Sequence, residues 1–164
     1  MRPPLFHPST LLSTWFWVGL IPKAPGTFGS LAALPFAWII QTYLGPLALL
    51  AGALAVFGLG CWSSAHYIRD FTETDPGEVV IDEVAGQWIA CLLLPPGMLW
   101  AWLAAFVLFR IFDIFKPWPI YLLDKHGRGG IGIMQDDMLA GLFAFILLQL
   151  FLIIFMGGPW IPTL

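Results

Sequence analysis

Apolar residues run through this chain in long blocks, and its polar residues collect where the blocks meet. Phe28 to Leu44 is one block, with Pro35 inside it as a kink that neighbouring helices must accommodate. Gly45-Pro46 makes a tight turn, and Leu47 to Ala65 runs back. Val79 to Leu94 is shorter and contains Asp82 and Glu83, so it starts at an interface or spans inside a bundle. Pro95-Pro96-Gly97 turns the chain into Met98 to Phe115, with Arg110 and Asp113 near the end of that block. The last block is opened by Asp136-Asp137, and from Met138 to Met156 only Gln149 is neither small nor apolar. About 20 apolar residues cross a bilayer, so the pattern predicts about five transmembrane helices. Leu11 to Ile21, "LLSTWFWVGLI", is too short to cross and rich in Trp, which predicts a short N-terminal interfacial or re-entrant helix. No repeat of fixed period and no low-complexity segment is visible.

Composition supports this reading. The chain of 164 residues is 59% hydrophobic and 10% charged, with a mean hydropathy of +0.85, where a soluble domain carries roughly a quarter charged residues. The expected fold class is all-α, an integral membrane helical bundle in which residues 1–164 form a single domain. "MRPPLFHPST" is positively charged but lacks an apolar core with a small-residue cleavage site, so no signal peptide is expected. Cys61 and Cys91 lie in apolar segments without metal-ligand spacing and are expected to pack. No nucleic-acid partner is expected.

Alternating crossings put residues 1–27, 66–83 and 113–137, with the ends of the adjoining helices, on one side. All seven basic residues fall there (Arg2, Lys23, Arg69, Arg110, Lys116, Lys125 and Arg128), as do the ten acidic residues and three histidines. By the positive-inside tendency that side is cytoplasmic.

Asp82, Glu83, Asp113, Asp136 and Asp137 then arrive at similar depth. Asp82, Gly86 and Ala90 form one stripe at four-residue steps, Asp137 and Gly141 a second, and Asp136, Ala140 and Ala144 a third. Small residues below a carboxylate let membrane helices pack closely, which turns these acids toward the bundle interior. One acid alone reads equally as a helix cap or a first-turn residue favoured by the dipole. Two adjacent pairs plus Asp113 in one layer repel each other unless a cation neutralises them. Hard oxygen ligands suit Mg²⁺, which joins protein carboxylates to a substrate phosphate.

"FRIFDIFKPWPI" spaces Arg110, Asp113 and Lys116 three residues apart at a helix end that Pro117 and Pro119 stop, with Trp118 as an interface anchor. The two cations fit either snorkelling at the boundary or a clamp on a phosphate. "HGRGGIGIM" offers Gly129 and Gly130 in a glycine-rich loop whose N–H groups could approach an anion, or a plain connector. "PKAPGTFGS" places Lys23, Thr27 and Ser30 by a helix N-terminus, for phosphate oxygens or for capping. His66 and His126 are open to acid–base roles that their spacing does not require. Asp70 to Val80 reads as a solvated acidic loop.

Four stretches together, "PGTFGSLAALPF", "IDEVAGQW", "FRIFDIFKPWPI" and "GGIGIMQDDMLAG", resemble the phosphatidylglycerophosphatase A family of bacterial membrane phosphatases. Ile81 stands before the acidic pair where some members have Trp. The resemblance implies Mg²⁺-dependent removal of the terminal phosphate of phosphatidylglycerophosphate at the cytoplasmic face of the inner membrane. The substrate slides in laterally with its acyl chains still in the leaflet. The chain carries no DxDx[TV] run, no Cys-x5-Arg loop and no split histidine-phosphatase pattern, so a metal-activated water is the favoured nucleophile. On this reading Asp82, Glu83, Asp136 and Asp137 hold Mg²⁺, and Asp113 is a further ligand or the base. Lys116 and Arg110 stabilise the transferring phosphoryl group.

Two other classes use similar residues. A phosphatidyltransferase places several aspartates on successive turns around an Ala-Arg step, which this sequence lacks. A small cation transporter places its carboxylates nearer mid-membrane with an internal repeat.

Overall fold

The computed structural model describes residues 3–70 and 76–156. Arg2, positions 71–75 of the expected acidic loop and the tail after Met156 lie outside the described residues. Among the described residues every regular element is helical. These are α1 (Pro8–Ser13), α2 (Pro25–Tyr43), α3 (Pro46–Tyr67), α4 (Ile81–Ala90), α5 (Leu99–Phe115), α6 (Ile120–His126) and α7 (Gly129–Met156), with 3-10 turns at Val18–Leu20 and Ile68–Asp70. Pro25 and Pro46 open α2 and α3 at the position where a missing N–H costs nothing.

The outer surface of the bundle is apolar, and small residues line its closest helix contacts. On α7 the buried positions include Gly130, Gly132, Ala140, Gly141 and Ala144, while Ile146, Leu147, Leu150, Ile154 and Phe155 are exposed. Small residues inside and large apolar ones outside let helices approach closely while the outer surface stays greasy. Two helices, α3 and α7, are long and apolar enough to cross a membrane by length and composition. α2 and α5 have 19 and 17 residues.

The short α4 is the axis of the bundle, packed against α2, α3, α5 and α7, and all of its residues except Glu83 are buried. Its ten residues rise only about 15 Å, half of a bilayer's hydrocarbon core of about 30 Å. The expected Val79–Leu94 helix therefore ends early, and the chain continues as non-helical backbone from Cys91. Backbone groups freed in apolar surroundings need partners, and side chains from neighbouring helices supply them. Gln149 Nε2 donates to the Leu92 carbonyl (3.2 Å), Gln41 Nε2 to Leu94 (3.3 Å), Trp102 Nε1 to Pro95 (2.9 Å) and Trp38 Nε1 to Pro96 (3.0 Å). The solitary Gln149 of the last apolar block thus has a structural task.

The expected Leu11–Ile21 helix is also broken. α1 ends at Ser13, and Trp15, Phe16 and Trp17 follow with φ of 45°, 54° and 70°. This left-handed run is costly for bulky side chains and is held by edge-to-face stacking of Trp15 on Phe36 and Trp88. The Ser13 carbonyl accepts from Val80 N–H, at 2.8 Å, and so ties this segment to the start of α4.

Candidate active site

Two glycines set the geometry. A Cβ on Gly86 of α4 would fall on the Asp137 carbonyl, and one on Gly141 of α7 would fall on the Gly86 carbonyl. Only bare α-carbons permit this backbone contact. It places Asp82 and Glu83, in the first turn of α4, beside Asp137. One carboxylate oxygen from each of Asp82, Glu83 and Asp137 lies within 4.8 Å of the others. The Asp113 carboxyl lies within hydrogen-bonding reach of Asp137.

The expected arrangement needs two corrections. α7 begins at Gly129, so Asp136 and Asp137 sit in its third turn and cap nothing. The expected glycine loop is instead the start of α7. Gly130 is pressed against the Cys61 carbonyl of α3, a packing role that leaves no open cradle there, while Gly129 has open space and a φ of +63°. Secondly, Asp136 stands apart from the Asp82–Glu83–Asp137 group. Consecutive helical residues point about 100° apart, so when Asp137 faces α4, Asp136 faces the end of α5. There its Oδ2 accepts from Lys116 Nζ at 2.6 Å, and Lys116 Nζ also meets Asp124 Oδ1 at 2.5 Å.

Lys116 follows α5 in the left-handed region, with φ of 42°, which turns its ammonium between α6 and α7. Burial works against its charge, but the hydrogen bonds and charges of Asp124 and Asp136 outweigh that and hold its pKa above the ordinary lysine range.

Arg110 is the cation of the carboxylate group. Its Nη1 is 2.6 Å from Asp113 Oδ2 and 3.6 Å from Glu83 Oε1. It also donates to Ser30 Oγ at 3.4 Å, and Ser30 in turn donates to the Gly26 carbonyl at 2.8 Å. Arg110 thus pairs with two of the four clustered carboxylates, Asp113 and Glu83, while Asp82 and Asp137 lie beside Glu83. Glu83 Oε2 and Asp137 Oδ2 are buried oxygens that accept no hydrogen bond among the described residues. Buried carboxylate oxygens left this way are costly and fit a divalent cation with oxygen ligands.

Of the expected phosphate-side residues, Ser30 is buried and joined to Arg110, whereas Lys23 is exposed and Thr27 half-buried at the start of α2. Lys23 forms no ion pair with the carboxylates among the described residues. His66 is exposed and bonded to the Trp62 carbonyl of its own helix, at 2.9 Å. Sequence reasoning missed Gly26 and Asp124. A Cβ on Gly26 would strike Glu83 Oε1 and crowd Arg110 Nη1, and its only sequence signal was the glycine spacing of "PGTFGS".

The four stretches that converge here also match one family. The sequence profile described as Phosphatidylglycerophosphatase A covers residues 11–152. The chain belongs to the phosphatidylglycerophosphatase A family. A phosphatidylglycerophosphatase A of Escherichia coli strain K12 is 39% identical over 160 residues, covering 97% of this chain and 89% of the relative. That of Haemophilus influenzae is 42% identical over 143 residues, 87% of each. A Bacteroides thetaiotaomicron protein, named provisionally a phosphatidylinositol-3-phosphatase, is 41% identical over 155 residues, 90% of this chain and 95% of the relative. No solved structure matches the chain at a significant level. In this chain the Gly86–Gly141 crossing and the pairs of Arg110 with Glu83 and Asp113 bring these stretches together.

Proposed function

We propose that this protein is a Mg²⁺-dependent lipid phosphatase. It hydrolyses phosphatidylglycerophosphate to phosphatidylglycerol and inorganic phosphate at the cytoplasmic face of the bacterial inner membrane. Membership of the family supports the reaction. The observation that carries the site assignment is the group of Asp82, Glu83 and Asp137 oxygens within 4.8 Å of one another, framed by Arg110.

Asp82, Glu83 and Asp137 would hold the ion. Bound there, Mg²⁺ supplies positive charge for phosphate oxygens and lowers the pKa of water that could attack phosphorus. Asp113 would be a further ligand or the base that accepts the water's proton. Arg110, held by Asp113, Glu83 and Ser30, presents its guanidinium to the transferring phosphoryl group. Asp136 leaves the expected ligand set and serves to fix Lys116. α2, α3, α5 and α7 cross the bilayer, and α4 with the non-helical Cys91–Gly97 stretch makes the fifth passage. The one-sided distribution of Lys and Arg supports a cytoplasmic site.

The name of the Bacteroides relative favours comparing a second lipid phosphomonoester. Purified protein should release phosphate from phosphatidylglycerophosphate faster than from phosphatidylinositol 3-phosphate in the same micelles. Correctly folded protein that prefers the inositol lipid, or releases nothing from either, overturns the substrate assignment.

A further inference from the structure

We infer that the groove between α2 and α5 is the slot for an acyl chain of the lipid whose phosphate enters the carboxylate site; this rests on the lipid-phosphatase reading above. Leu31, Leu34, Pro35 and Trp38 recur on one face of α2, and Leu99 and Leu103 on the facing side of α5. Between them runs an apolar groove of about 530 Å³, a volume in the range of small-ligand sites.

Its position selects the occupant. Leu31 directly follows Ser30, and Ser30 Oγ accepts from Arg110 Nη1 at 3.4 Å across the same α2–α5 seam. The groove therefore begins within a residue of the Arg110 contact on α2, and about two turns below it on α5. A head that carries Arg110 among carboxylates, where Mg²⁺ would bind on the reading above, stands over an apolar slot and matches an amphiphile with an anionic phosphomonoester on a hydrocarbon tail. At its other end the slot has a floor, where Trp38 Nε1 donates to the Pro96 carbonyl at 3.0 Å. From Leu31 to Ile39 the α2 wall extends about 12 Å.

A second apolar groove of about 440 Å³ lies between α5 and α7, lined by Val107, Leu108, Leu147 and Phe151 among others. One turn nearer the carboxylates on both helices, Phe112 and Phe143 meet edge to face at 5.8 Å. That pair closes the site end of the second groove. The α2–α5 groove has Ser30 and Arg110 at the corresponding end.

Photocrosslinking in vesicles tests the assignment without relying on turnover. The probes are phosphatidylglycerophosphate and phosphatidylcholine, each carrying a diazirine on one acyl chain. Labelling of Leu31–Ile39 and Leu99–Leu103 should be several-fold higher with the phosphomonoester lipid than with phosphatidylcholine, whereas labelling around Leu147 should be equal for both. Leu103→Trp, which fills the slot from a lipid-exposed position, should remove that excess. It should also raise KM for long-chain substrate about tenfold, the effect of a couple of methylene groups losing burial. KM for a dihexanoyl substrate, whose shorter chain buries less surface in the slot, should rise by a smaller factor. Equal labelling by the two lipids, or an excess at the α5–α7 groove, overturns the inference. Phosphate release measured in parallel reports separately on the phosphatase reading.

Discussion

Gly141 of α7 rests its α-carbon against the carbonyl of Gly86 in α4. That contact, and not the local sequence around any one acid, sets Asp137 beside Asp82 and Glu83. Gly141→Val puts a branched side chain where backbone already stands. Overpacking of this kind costs about 1–3 kcal/mol, and the helices must separate to admit it. The variant should unfold at lower temperature in detergent and lose phosphate release. Full activity in Gly141→Val would show that the close crossing is dispensable.

Lys116 links α6 to α7 through Asp124 and Asp136. Lys116→Met leaves Asp136, whose side chain is 6% exposed, without its cation. Removing one partner of a well-buried pair costs about 3–5 kcal/mol, and the partial exposure of Lys116 and Asp124 lowers that to about 1–3 kcal/mol. Thermal unfolding of Lys116→Met against Lys116→Arg should show the loss in the first and partial recovery in the second.

The sign of the Lys116 shift also fixes a pH prediction. Its folded-state pKa lies above the unfolded value of about 10.4. Its contribution to stability is therefore complete below about pH 10 and fades only as pH rises through the folded value. Between about pH 6 and 9, stability profiles of the wild type and Lys116→Arg should run parallel. A step in that window present only in the wild type would contradict the assigned charge state.

Gln149→Leu preserves shape but withdraws the donor from the Leu92 carbonyl. Loss of a half-buried hydrogen bond costs about 0.5–1.5 kcal/mol, so the melting temperature should fall while kcat of the remaining folded protein stays near the wild-type value. An unchanged melting temperature would mean that Leu92 finds another partner.

Much of this arrangement was legible in the residue pattern. The apolar blocks located the long helices, and the four-residue steps Asp82–Gly86–Ala90 and Asp137–Gly141 marked the faces that meet. The limits came from tertiary contacts. Nothing local ends α4 after Ala90; Gln41, Gln149, Trp38 and Trp102, distant in sequence, make the unwound stretch tolerable. The left-handed run at Trp15–Trp17 depends on stacking against Phe36 and Trp88. Adjacent Asp136 and Asp137 look alike in sequence, and only the positions of Lys116 and α4 distinguish the ion-pair partner of Lys116 from the member of the Asp82–Glu83–Asp137 group.

On the function proposed above, the Asp82, Glu83 and Asp137 carboxylates form the Mg²⁺-dependent centre of a phosphatidylglycerophosphate phosphatase. The most direct measurement is phosphate release from that lipid while Mg²⁺ is titrated, in wild type, Asp82→Asn and Asp137→Asn. The wild type should saturate with Mg²⁺ and stop with EDTA. Each variant should fold normally yet turn over slower by roughly two to three orders of magnitude. Wild-type release that persists in EDTA, or near-normal turnover in Asp137→Asn, would contradict it.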